Sequence, residues 1–175
     1  ILARAAQLAK ADLATQMVVE MTSLQGVMGR DYALLSGEPP AVAQAIFEHY
    51  LPTRAGGPIP EGLEGALLSI ADKMDTITGC FGVGLLPTGT ADPFALRRQT
   101  LGVIRIVLEK PLKVPLTDLI EQALQQLGPK LTEPRNTVKQ GVLDFFFGRL
   151  SHMLVNQEGY TPDVVEAALA VAIDD

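Results

Sequence analysis

Two groups of side chains in this chain could do chemistry by their type and spacing. An acidic group, Asp72 and Asp75 with Lys73 between them, lies in the run ADKMDT. A basic group, Arg97 and Arg98 in DPFALRR, is followed by Arg105 seven residues after Arg98. Glu20 and His49 extend the acids to three oxygen donors and one imidazole, a set that suits a divalent ion. The preferred reading is plainer: such carboxylates are as often members of structural ion pairs. Asp72 or Asp75 could accept a bidentate contact from Arg97 or Arg98, locking the connector between two helices. The two aspartates are three residues apart and share a helix face, whereas an acid–base pair usually flanks its substrate, so no catalytic residue is assigned. No Gly-x-Ser-x-Gly occurs, and Cys80, the one cysteine, reads as a small buried hydrophobe rather than a nucleophile. PTGT (87–90) could offer backbone N–H groups to an anion, but it lacks the spacing and the Gly-Lys-Ser/Thr of a P-loop. The remaining polyanion reading sends Arg98 and Arg105, with Arg97 and Lys73, toward nucleic-acid phosphates.

These residues need helices to hold them. Glu61 opens a predicted helix with the stripe Leu63, Leu67, Ile70, Ala71 and Met74, which brings Asp72, Lys73 and Asp75 to its C-terminal turns. Carboxylates there oppose the helix dipole, so they call for solvent or specific partners. A glycine-dense connector (79–91) follows. Asp92 then reads as a cap and Pro93 as the first residue of a helix to about Lys110. Phe94, Leu101, Ile104 and Leu108 are its expected buried side. At ~100° per residue, Arg98 and Arg105 fall within about 20° of each other, with Arg97 to one side. Upstream, residues 1–35 read as helix in two or three pieces, with Leu2, Ala5, Ala6, Ala9 and Leu13, then Met17, Met21, Leu24, Met28 and Tyr32, at helical spacing. Gly26 and Gly29 suggest close approach by another helix, and Gly37 stops the segment. Pro39-Pro40 opens a helix over 39–50, and 52–62 is a loop. Downstream, 116–127, 138–155 and a Thr161-Pro162-Asp163 start running to about Ile173 are amphipathic helices. No alternating strand pattern appears. The expectation is an all-α bundle of about eight helices, with a core over 1–110 and further helices over 111–175 packing on it, as two parts or as one domain.

Composition narrows the function classes. At 175 residues the chain is long enough to bury a core without staples. A single cysteine suits a reducing cytoplasm. No leader pattern opens the chain, and its apolar runs are too short to span a bilayer. It begins at Ile1 inside an amphipathic pattern and reads as part of a longer protein. A net charge of −6 argues against tight, autonomous nucleic-acid binding, though a local basic patch remains open. The absence of tryptophan and the small number of aromatics argue against a base-stacking platform.

ADKMDT, PTGTADPFALRR and LGVIRIVLEK, with KADLATQMVVEMTSLQGVMGRDYA (10–33) and AIFEHYLP (45–52), resemble the bacterial glycyl-tRNA synthetase β subunit. The likeness spans nearly the whole chain and weakens after Lys110. It implies the HD-like helical middle part of that subunit, with the metal motif degenerate, so it implies the fold and not phosphohydrolysis. It also implies that ATP, with magnesium, serves the whole enzyme and not this segment. The partners implied are an α subunit carrying adenylation, in an α2β2 assembly, and tRNA-glycine. The family usually has aspartate where Gly57 stands, so that residue's contact is absent here. Three expectations follow: a tRNA-contacting module of a glycine–tRNA ligase, a scaffold without RNA contact, or a metal-dependent HD-type phosphohydrolase.

Overall fold

The computed structural model describes residues 1–171, which form nine α-helices and no strand. No helix among them is long and apolar enough to cross a membrane. The chain divides between Asp72 and Lys73 into two compact units, and the division falls inside one long helix.

The first unit holds α1 (Leu2–Leu8), α2 (Gln16–Glu20), α3 (Val27–Leu35), α4 (Pro40–Glu48) and the first half of α5 (Leu63–Gly82). Its core is made of Ala5, Ala33, Val42, Ala43, Ala45, Ile46 and Leu68. Gly29 earns its place at the contact of α3 with α4: a Cβ there would meet Ile46 Cγ2 at 2.9 Å and Asp12 Oδ2 at 3.1 Å. Gly37 closes α3. With φ at +83°, it lets its own N–H reach Leu34 O and the Glu38 N–H reach Ala33 O, the paired bonds of a Schellman stop. Pro40 occupies the first turn of α4, where its missing N–H is not needed. The sequence stripe over 1–35 fares less well. Lys10 is left-handed and short 3₁₀ turns interrupt the run, so the helical period does not carry through. Ala5 and Val18 are buried, while Leu2, Leu13, Met17 and Met21 face solvent.

Helix α5 is longer than the residue pattern predicts. Glycines 79 and 82 read as connector, yet both are helical. Ile77 and Phe81 continue the buried stripe of Ile70 and Met74, and burial outweighs glycine's weak propensity. Gly82 also makes the helix end possible. Leu131 lies over it where a Cβ would stand, and the Gly82 carbonyl accepts the Thr132 N–H at 2.8 Å and the Glu133 N–H at 3.0 Å.

The second unit continues with α6 (Leu96–Glu109), α7 (Leu116–Leu127), α8 (Arg135–Asn156) and α9 (Pro162–Leu169). Residues 172 and 173, in the expected tail of the last helix, lie outside the described residues. Helix α8 is central, packing against α6, α7 and α9. Val138, Val142, Phe146 and Met153 are its buried residues, and Phe145 meets Phe81 with ring centroids 5.3 Å apart. At the surface, Glu121 on α7 accepts from Arg135 and Lys139 on α8, which pull its carboxyl down to about 2.

Candidate nucleic-acid interface

The basic group is positioned by the stretch before α6. Asp92 caps, as its residue type suggests, but from further away: its carboxylate accepts the N–H of Leu96 at 2.7 Å and of Arg97 at 3.0 Å. The helix therefore starts at Leu96 and not at Pro93. Between them Ala95 takes φ +54°, a left-handed conformation that costs an L-residue roughly 1–2 kcal/mol. Thr88 and Ala91 close a turn by exchanging backbone bonds of 3.0 and 2.8 Å. Gln99 Nε2 donates to Phe94 O at 2.9 Å.

This bracing gives the three arginines three fates. Arg97 Nη2 donates to Gly89 O at 2.8 Å and ties the turn to the helix. Arg105 pairs with Glu109 one turn later at 2.9 Å. Arg98 is exposed, and its guanidinium makes no hydrogen bond or ion pair among the described residues. The buried side of α6 is also rotated from expectation. Leu96, Val103, Ile104 and Ile106 are inside, whereas Phe94 and Leu108 are 45% and 63% exposed. The left-handed Ala95 takes Phe94 off the helix, so helical periodicity no longer applies to it.

The acidic group changes meaning with the length of α5. Asp72 and Asp75 lie ten and seven residues before its last residue, Gly82. The dipole argument drawn from the sequence acts only over the last turn, so it does not apply to them. Asp72 accepts from Lys10 Nζ at 2.6 Å, Asp75 is exposed, and Lys73 is only 5% exposed. His49 is buried with Nδ1 2.5 Å from Ile46 O, and Glu20 accepts from Gln16 at 2.7 Å. Among the described residues no three His, Cys, Asp or Glu side chains are grouped to hold a metal ion. The N–H groups of Thr88, Ala91, Leu96 and Arg97 already have acceptors, and Asp92 sets a carboxylate where a phosphate would approach. These residues do not fit ATP with magnesium. Burial, and then the charge of Asp92, push the Cys80 thiol up, away from thiolate chemistry.

One constellation was not legible beforehand. Asp12 is 2% exposed and accepts the Gly26 N–H at 2.6 Å through Oδ2 and the Tyr50 hydroxyl at 3.2 Å through Oδ1. Burial pushes the Tyr50 phenol up, and the nearby charge of Asp12 adds to that. Glu48, also 2% exposed, accepts the Gly62 N–H at 3.0 Å and pins the loop after α4. Both acids lie among apolar neighbours in sequence, and the glycines they hold are 14 residues away. The faint signal was the glycine itself, a residue type suited to the positive φ of +80° that Gly26 takes. Gly57 N–H bonds Arg54 O, and a Cβ at Gly57 would stand 3.0 Å from that oxygen, so an aspartate there would force this turn to move.

A family model described as glycyl-tRNA synthetase beta subunit matches residues 1–170. The chain is 57% identical over 172 residues to the glycine–tRNA ligase beta subunit of Syntrophus aciditrophicus, covering 98% of this chain and 25% of that protein. The corresponding subunit of Syntrophotalea carbinolica is 56% identical with the same coverage. That of Trichlorobacter lovleyi is 55% identical, over 99% of this chain and 25% of its own length. The chain thus spans about a quarter of the curated relatives it matches.

Proposed function

Since the chain belongs to the glycyl-tRNA synthetase β-subunit family, we propose that it is a segment of a glycine–tRNA ligase β subunit that meets tRNA-glycine through the outer side of α6. In this reading the segment is HD-like and cytoplasmic and carries no adenylation chemistry. ATP and magnesium act on an α subunit in an α2β2 assembly. The observation that carries the tRNA contact is Arg98, an exposed guanidinium held on a braced helix start with no acidic partner among the described residues. Guanidinium pairs well with phosphate, and an arginine without an internal partner gives up nothing to do so. Arg105 lies about 10 Å further along the same side of the helix and can exchange Glu109 for a phosphate. Arg97 acts indirectly, by fixing the turn through Gly89.

A scaffold role without RNA is favoured by one observation: Arg97 and Arg105 are both engaged inside the protein. The two readings separate in a titration of tRNA-glycine with the chain and with an Arg98→Ala, Arg105→Ala variant, at two salt concentrations. If α6 meets RNA, the variant binds more weakly and its salt slope is shallower by about one to two phosphate contacts. Equal affinity and slope, with an unchanged thermal melt, would leave the scaffold reading.

A further inference from the structure

Phe94 is the residue whose sequence expectation and position disagree most usefully. Its type asks for burial, yet it stands 45% exposed beside the first turn of α6. The exposure is held in place. Gln99 grips its carbonyl, Asp92 caps the two residues that open the helix, and Arg97 ties that helix to Gly89. The next residue, Ala95, is left-handed, which turns the chain so that Phe94 leaves the buried side. Strain that a surrounding network holds at an exposed aromatic points to a contact the ring makes with something else.

Arg98 narrows what that something is. It lies four residues on, exposed, with no acid or hydrogen-bond acceptor among the described residues. Four residues of chain span at most ~14 Å, so an apolar protein surface broad enough to cover both residues would leave this charge unpaired, which is costly. A nucleotide satisfies both groups, because its base offers a face for stacking and its phosphate an anion for the guanidinium. The chain carries −6 overall, so long-range attraction to RNA is weak and a contact that does not depend on charge gains importance.

We infer that Phe94 stacks on an unpaired base of the bound RNA while Arg98 meets a neighbouring phosphate. The inference rests on the proposal that α6 faces tRNA, and it adds the kind of nucleotide that is recognised: unpaired, with no base identity required. Val83, Leu85 and Leu86 are exposed in the same stretch, and a protein partner seated on them is the competing occupant.

The chain has no tryptophan, so Phe94→Trp places a single reporter indole at the site. The probes are an unmodified tRNA-glycine transcript and a blunt RNA duplex of similar length without unpaired bases. Phe94→Trp is expected to bind the transcript as the parent does, with its emission quenched by the transcript and not by the duplex. Phe94→Leu keeps an apolar side chain without the π face. It should bind the transcript about tenfold more weakly with an unchanged salt slope, because the lost contact is not ionic. Thermal melts of both variants should match the parent. Unquenched emission, or Phe94→Leu affinity within about twofold of the parent, overturns the stack. If Arg98→Ala still lowers the salt slope, α6 keeps its RNA-facing role and only the stack falls. If the parent chain does not bind the transcript, both fall together.

Discussion

Gly79→Ala tests whether α5 runs through the stretch that its glycines mark as a connector. A Cβ at Gly79 would lie 3.8 and 3.9 Å from the two methyls of Leu127, ordinary contact distances, so a methyl adds packing without overlap. In a helix interior alanine is better than glycine by about 1 kcal/mol. Partial burial of the methyl adds up to about 0.5 kcal/mol. The site is three residues from the end of α5, where fraying reduces the propensity gain, so the net expectation is about 1 kcal/mol of stabilisation. For a chain of 175 residues that corresponds to a rise in Tm of about 3 °C. Gly82→Ala is the internal control. Its methyl would overlap Leu131 and push that side chain aside at a cost of roughly 1–3 kcal/mol, so it should be neutral to destabilising. Urea unfolding followed by far-ultraviolet circular dichroism measures both, with equal m-values required for comparison. Destabilisation by Gly79→Ala at unchanged m would refute the helical reading of residues 79–82, because a connector glycine loses from substitution what a helical one gains.

Two further outcomes follow from buried Asp12 and half-buried Tyr50 in the first unit. Asp12→Ala removes the acceptor of both the Gly26 N–H and the Tyr50 hydroxyl, and urea unfolding should register a loss of about 2–4 kcal/mol; a loss under about 0.5 kcal/mol would mean water replaces the carboxylate. Tyr50 titrates above its ordinary value near 10 in the folded chain, chiefly through burial. A raised value makes its contribution to stability fully present below pH ~10 and lost as pH rises through the folded value, so the urea midpoint of the parent should fall between about pH 10 and 11 more steeply than that of Tyr50→Phe.

Part of this architecture is legible from short-range chemistry. The helix stops at Gly37 and starts at Pro40 depend on backbone dihedrals and missing donors, which are properties of the residue itself. So is the capping power of Asp92, although which N–H groups it reaches is not. Gly29 announced a close approach without naming Ile46 as the side chain that makes it. The all-helical class and the family are equally local, carried by periodicity and by runs such as DPFALRR.

What only the tertiary structure decided is where the polar groups end up. Asp12 and Glu48 are ordinary acids in sequence, and they become buried braces because the fold brings two glycine N–H groups to them across 14 residues. Met17 and Met21 keep a helical spacing and still face solvent, because a stripe is buried only where another element lies over it. Gly79 and Gly82 lost their connector role to the side chains buried around them. The arginines show the same division at the candidate interface. Residue type determined that Arg97, Arg98 and Arg105 would carry charge on one helix. Packing sent Arg97 to Gly89 and Arg105 to Glu109 and left Arg98 facing water, while a single left-handed residue, Ala95, took Phe94 off the helix just before it begins.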